Sequence, residues 1–75
     1  MSKKITPISY KLFIKFLEMQ GFTFSRQKGD HLIYVKDRIL RPLVIPMYDQ
    51  LPVFIIKNNL RSACIDREEY LKFLK

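Results

Sequence analysis

Gly21 separates two periodicities that no single element can satisfy. Before it, Tyr10, Phe13, Ile14 and Leu17 recur at the spacing of one helix face, with Ser9 placed to cap the start and Gly21 to stop the end. After it, Phe22 and Phe24 alternate with Thr23, Ser25 and Gln27, the pattern of an extended strand with two unlike faces. An apolar helix stripe followed directly by an alternating strand requires a fold in which helices are layered on a sheet. Leu12, Phe16 and Met19 add a second apolar line to the helix, more than a half-exposed helix needs, as if to cover a partner or a sheet edge.

The rest of the chain extends this order. Lys28-Gly29-Asp30-His31 reads as a tight hairpin turn, because Gly, and less readily Asp, accepts the positive φ of such turns. "HLIYVK" makes a second strand and "LRPLVIP" a third, with Pro42 favouring an edge because it cannot donate to a ladder. A second helix follows, with Val53, Ile56, Leu60 and Ala63 facing the core and Lys57 and Arg61 forming a basic ridge. Asp66 with Glu69 then resembles a capping box opening a short last helix that presents Tyr70, Leu71 and Leu74. The expected architecture is α+β: a three-stranded antiparallel sheet with helices on one face, in the order α-β-β-β-α plus a short C-terminal helix. Residues 1–75 are expected to form one domain, since a chain this short buries only roughly 60% of its unfolded surface and cannot support two cores.

Charge narrows the partner. The chain carries 14 Lys and Arg against 7 Asp and Glu, a net +7 that favours polyanions, either nucleic acid or an acidic protein. A hydrophobic fraction of 48% with six Phe and four Tyr excludes a disordered tail. One Cys and one His cannot build a zinc cluster or an internal disulfide, so neither metal nor cofactor is expected. No apolar run has the length of a signal peptide or a membrane span, and a cytoplasmic protein with no membrane association is the inference.

His31 is the one side chain whose unperturbed pKa lies near neutrality, which makes it the candidate for proton transfer, although a lone histidine at a strand start is commonly structural. On its strand it shares a face with Ile33 and Val35, while Leu32 and Tyr34 share the other; both faces are apolar, and the pattern does not say which is core. A strand apolar on both sides suggests that the face without helices is at times covered by another chain. Arg26 and Lys28 precede the turn, Lys36, Arg38 and Arg41 follow the strand, and Lys11 and Lys15 lie one turn apart on the first helix. Together they form a set suited to holding phosphates and stabilising the charge that builds on a reacting phosphorus, or else the solvated face of a basic domain. Tyr34 and Tyr48 are candidates for stacking on an unpaired base, and equally for core filling.

"ISYKLFIKFLEMQGFTFSRQKGDHLIYVK", then "LVIP", then "NNLRSACIDREEYLKFL" together resemble the HicA (YcfA-like) toxin family of type II toxin–antitoxin systems. The resemblance spans nearly the whole chain: a helix ending in Gly-Phe, an Arg26-x-x-Gly29-x-His31 hairpin, a Val-Ile-Pro strand end, and a closing helix pair. It implies a fold like that of double-stranded-RNA-binding domains and a metal-independent endoribonuclease that cleaves mRNA with the hairpin histidine, His31. With Gly29 placed beside His31 by the resemblance, the basic and aromatic candidates above give an expected RNA-binding set of Lys11, Lys15, Arg26, Lys28, Gly29, Tyr34 and Lys36, and the resemblance implies a chain that is monomeric when free and joins a HicB-like antitoxin in a hetero-oligomer. The chain departs from the family pattern in three places. Asp30 stands where members commonly carry Ser or Thr, and acts on the imidazole or serves only as a turn residue. Phe54 and Ile55 replace a small-residue pair at the second helix, and Pro42 lies within the third strand, where an edge position tolerates it. A non-catalytic RNA-binding module and an inactive antitoxin-binding subunit are the competing readings.

Overall fold

The computed structural model describes residues 4–74; residues 1–3 and 75, part of the expected domain, lie outside the described residues. Its elements follow the expected order: α1 (Tyr10–Met19), β1 (Thr23–Lys28), β2 (His31–Val35), β3 (Leu43–Pro46), α2 (Val53–Ser62) and α3 (Arg67–Phe73). The sheet is an antiparallel meander, β1-β2-β3, with β2 central. The third strand is shorter than "LRPLVIP" suggests, because Pro42 has no N–H to contribute and pairing starts at Leu43.

Ser9 caps α1 as its sequence position implies, its Oγ accepting from the Lys11 N–H at 3.2 Å. The far end closes at Gln20, where Gly21 takes φ +95 and turns the chain toward β1. Lys36 completes that closure by donating from Nζ to the Gln20 carbonyl at 2.7 Å while lying 5.6 Å from the centre of the Phe22 ring. Asp66 occupies the N-cap position of α3, yet its side chain makes no capping bond, so the expected capping box is not formed.

The core is built from Phe13, Phe16 and Leu17 of α1, Ile56 and Leu60 of α2, Tyr70 of α3, and Tyr34, Leu43 and Ile45 of the sheet. Phe16 thus belongs to the buried stripe, whereas Leu12 and Met19 of its apolar line are exposed. Tyr70 stands edge-on to Phe13 and Phe16, with centroids 5.8 and 5.1 Å away, a favourable arrangement of aromatic quadrupoles. Its hydroxyl has no hydrogen-bond partner among the described residues, and burial pushes the phenol up to about 12.

Cross-strand partners share a face, so the register assigns every sheet residue to a side. Leu32 pairs Ile45 and Tyr34 pairs Leu43 on the side that the helices cover. His31 pairs Pro46 and Ile33 pairs Val44 on the open side. A bulge between Phe24 and Arg26 changes the alternation of β1: Phe24 stays opposite Tyr34, but Arg26 comes opposite Ile33 and Lys28 opposite His31. Without the extra residue, Arg26 would fall opposite Leu32 on the covered side. The bulge therefore puts both basic side chains on the open face with the histidine.

Candidate active site

The hairpin that carries His31 is tied down from three directions. Gly29 and Asp30 form its two-residue loop, and only Gly29 (φ +61) takes positive φ, the pattern of a type II′ turn. Gln27 reaches over the turn and donates from Nε2 to the Gly29 carbonyl at 2.9 Å. Beyond the end of β3, the Met47 N–H donates to the Asp30 carbonyl at 2.9 Å and extends the ladder past the last paired residues. The backbone of the residue beside the histidine is thereby fixed from both neighbouring strands.

At this end of the sheet Lys28, His31 and Pro46 form one cross-strand row on the open face, and Arg26, Ile33 and Val44 form the next. Directly opposed residues carry Cβ atoms roughly 4.5–5.5 Å apart, which puts the Lys28 stem beside the imidazole. Asp30 Oδ1 lies 3.1 Å from His31 Nδ1, and the His31 side chain is 45% exposed. A carboxylate accepting from Nδ1–H selects the tautomer whose Nε2 carries the lone pair, the form a general base requires.

His31 also lines a cleft of about 390 Å³ between the β3 edge and α2. Val44, Pro46 and Ile55 give it apolar surface, and Arg41, Tyr48, Asn58, Asn59 and Ser62 give it polar groups. Asn59 is buried; its Nδ2 donates to Ile55 O at 3.0 Å and reaches Val44 O at 3.5 Å, linking α2 to the strand. The α2 side of this cleft has no local signal in the sequence, because its residues meet His31 only through the packing of α2 along β3.

The residues expected to bind RNA are distributed unevenly. Arg26, Lys28 and Gly29 lie with His31 at the open end. Lys36 lies at the opposite end of β2, engaged with Gln20 and Phe22. Lys11 and Lys15 are exposed on α1, in the helical layer on the other side of the sheet; Lys11 directly follows Tyr10, whose N–H donates to Tyr48 O at 3.1 Å. Tyr34 corrects the expectation of a stacking residue. It is only 5% exposed, it faces the helices, and burial followed by the charge and hydrogen bond of Glu18 raises its phenol above the usual value. Tyr48, the other aromatic candidate, is 44% exposed on the cleft wall.

Among the described residues no group of His, Cys, Asp and Glu is arranged to hold a metal ion, and no helix is long and apolar enough to cross a membrane. No curated protein and no solved structure matches the chain. The family model described as the HicA toxin of bacterial toxin–antitoxin systems matches residues 10–65, from the start of α1 through the hairpin and the cleft to the residues just past α2. With the sheet order, the hairpin histidine and this match together, the chain belongs to the HicA toxin family of bacterial toxin–antitoxin systems.

Proposed function

We propose that this toxin is an endoribonuclease acting on mRNA in the cytoplasm without a metal cofactor, and that His31 is its general base. The observation that supports the reading is the contact of Asp30 Oδ1 with His31 Nδ1 on a side chain that is itself 45% exposed, which occupies one ring nitrogen and leaves Nε2 as the one to meet the substrate. Nε2 removes the proton from a ribose 2′-hydroxyl, and the 2′-oxygen attacks the adjacent phosphorus. The bond from phosphorus to the 5′-oxygen breaks, the leaving oxygen takes a proton from Lys28 or from water, and the products are a 2′,3′-cyclic phosphate and a 5′-hydroxyl. Because the nucleophile belongs to the RNA, the protein supplies only a base and cations. Lys28 and Arg26 offset the negative charge that accumulates on the phosphoryl oxygens.

A HicB-like antitoxin fits the same face as the neutralising partner. An acidic protein laid over Lys28, His31 and Val44 would be attracted by the net charge of +7 and would exclude RNA from the histidine. The ribonuclease reading is tested by incubating a defined single-stranded RNA with the protein in EDTA and analysing the new 3′ ends. Cyclic phosphate ends that are absent with His31→Ala support it. RNA left intact by the folded wild-type protein contradicts it and returns the chain to an RNA-binding or antitoxin-binding role.

A further inference from the structure

We infer that the cleft between the β3 edge and α2 is a subsite for one nucleotide of single-stranded RNA, with its base stacked on Tyr48; the inference rests on the ribonuclease reading for the position of the reacting phosphate. Its volume of about 390 Å³ lies in the range of small-ligand clefts, and His31 is part of its lining, so a nucleotide seated there is continuous with the reacting bond.

Tyr48 is prepared for this role by its backbone. Its N–H donates to Pro46 O at 2.8 Å and its carbonyl accepts from Tyr10 N–H at 3.1 Å, which fixes the residue between β3 and the start of α1. The residue is nevertheless 44% exposed, an aromatic side chain on a fixed backbone and left half open. A base stacked on such a ring gains affinity without sequence discrimination, since every base has a π-face. Arg41 on the same wall supplies the positive charge that a flanking phosphate requires.

Asn59 contributes a polar group to the same cleft. It is 8% exposed and lines the cleft, and both hydrogen-bond partners of its amide nitrogen are backbone carbonyls, which fixes which end of the amide is Nδ2. Its Oδ1 is left without a bond from the described residues, an acceptor suited to the exocyclic amino group of adenine, cytosine or guanine. Uracil has no such group. A protein segment is the competing occupant, but the three most exposed apolar side chains, Leu40 at 97%, Met19 at 67% and Phe54 at 65%, are not in the cleft lining, so the cleft does not extend the most exposed apolar surface.

The test uses a short single-stranded oligonucleotide with 2′-fluoro sugars throughout, which has no 2′-hydroxyl to react, and with 2-aminopurine placed at each position in turn. Wild-type protein is expected to quench the fluorophore strongly at one position. Tyr48→Ala should remove the quenching and weaken binding about 10-fold or more, while Tyr48→Trp keeps both. Replacing the base at that position by uracil should weaken binding relative to cytosine. Unchanged quenching and affinity in Tyr48→Ala, or equal affinity for uracil and cytosine, overturns the inference; so does a Tyr48→Ala protein that binds RNA normally but loses affinity for its antitoxin. Because the oligonucleotide cannot be cleaved, this outcome is separate from that of the ribonuclease assay: a protein that cleaves RNA yet shows no quenching at any position refutes the subsite alone.

Discussion

The two faces of the central strand carry nearly the same composition and have opposite uses. Leu32 and Tyr34 pack beneath the helices with Leu43 and Ile45, whereas His31 and Ile33 stand on the open side with Arg26 and Lys28. Ile33 is buried to 6% exposure and still lies outside the core cluster. Apolar character thus does not separate the faces; the register does. One face stabilises the chain through contacts made by all three helices, and the other keeps its cations and its histidine available.

If that division is correct, substitutions should affect stability or RNA cleavage according to the face they touch. The largest effect is expected from Phe16→Ala, which removes a ring packed on Phe13, Tyr70 and Phe73. Such a truncation costs about 3–5 kcal/mol, a large part of the stability of so small a domain, and urea denaturation should show the midpoint collapse. The alkaline limb of stability comes next. Between pH 10 and 12 the unfolded chain releases the Tyr70 proton while the folded chain retains it, so stability falls as pH rises, by up to about 2–3 kcal/mol. Tyr34 is raised in the same direction and adds to the loss. Tyr70→Phe should flatten most of this limb and leave stability at pH 7 unchanged or higher, because it also deletes the unpartnered hydroxyl; a limb of undiminished slope would refute that assignment.

The two lysines that flank β2 sharpen the contrast. Lys28→Ala should slow cleavage about 10- to 100-fold with the melting curve unchanged, less than a buried oxyanion donor contributes because solvent screens the charge. Lys36→Ala should do the reverse, costing about 1 kcal/mol through the lost bond to Gln20 and the lost contact with Phe22 while cleavage per folded molecule is unchanged. The smallest effect belongs to Asp30→Asn. An exposed pair of this kind is worth up to about 1 kcal/mol, so kcat should drop by no more than about fivefold, with a changed tautomer ratio in the imidazole nitrogen NMR spectrum as the accompanying sign.

Much of this arrangement is legible in the chain itself. The helix before Gly21, the Gly29 turn and the edge position of the strand that follows Pro42 are consistent with backbone chemistry that acts within a few residues, and the family resemblance puts His31 at the hairpin, where it opens β2. What is hidden depends on contacts between distant residues. No Gly marks the bulge beside Ser25, so simple alternation puts Arg26 with Phe24 rather than opposite Ile33. Lys36 looks like another phosphate ligand until the end of α1 is brought next to it. Tyr34 and Tyr48 are equivalent by composition, and only packing puts one against Glu18 beneath the helices and the other on the cleft wall. The Asp66 capping box shows the converse, a local motif whose side-chain bond is not made.

The most direct test sets two neighbours against each other. His31→Ala and Leu32→Ala change consecutive residues that point to opposite faces, and both can be measured for thermal unfolding and for RNA cleavage per folded molecule. The two-face account predicts that His31→Ala loses about 10²- to 10⁴-fold or more in cleavage with its unfolding temperature preserved, while Leu32→Ala unfolds at lower temperature and cleaves normally below it. A His31→Ala protein that cleaves as fast as wild type, or one that loses cleavage only because it no longer folds, would contradict it.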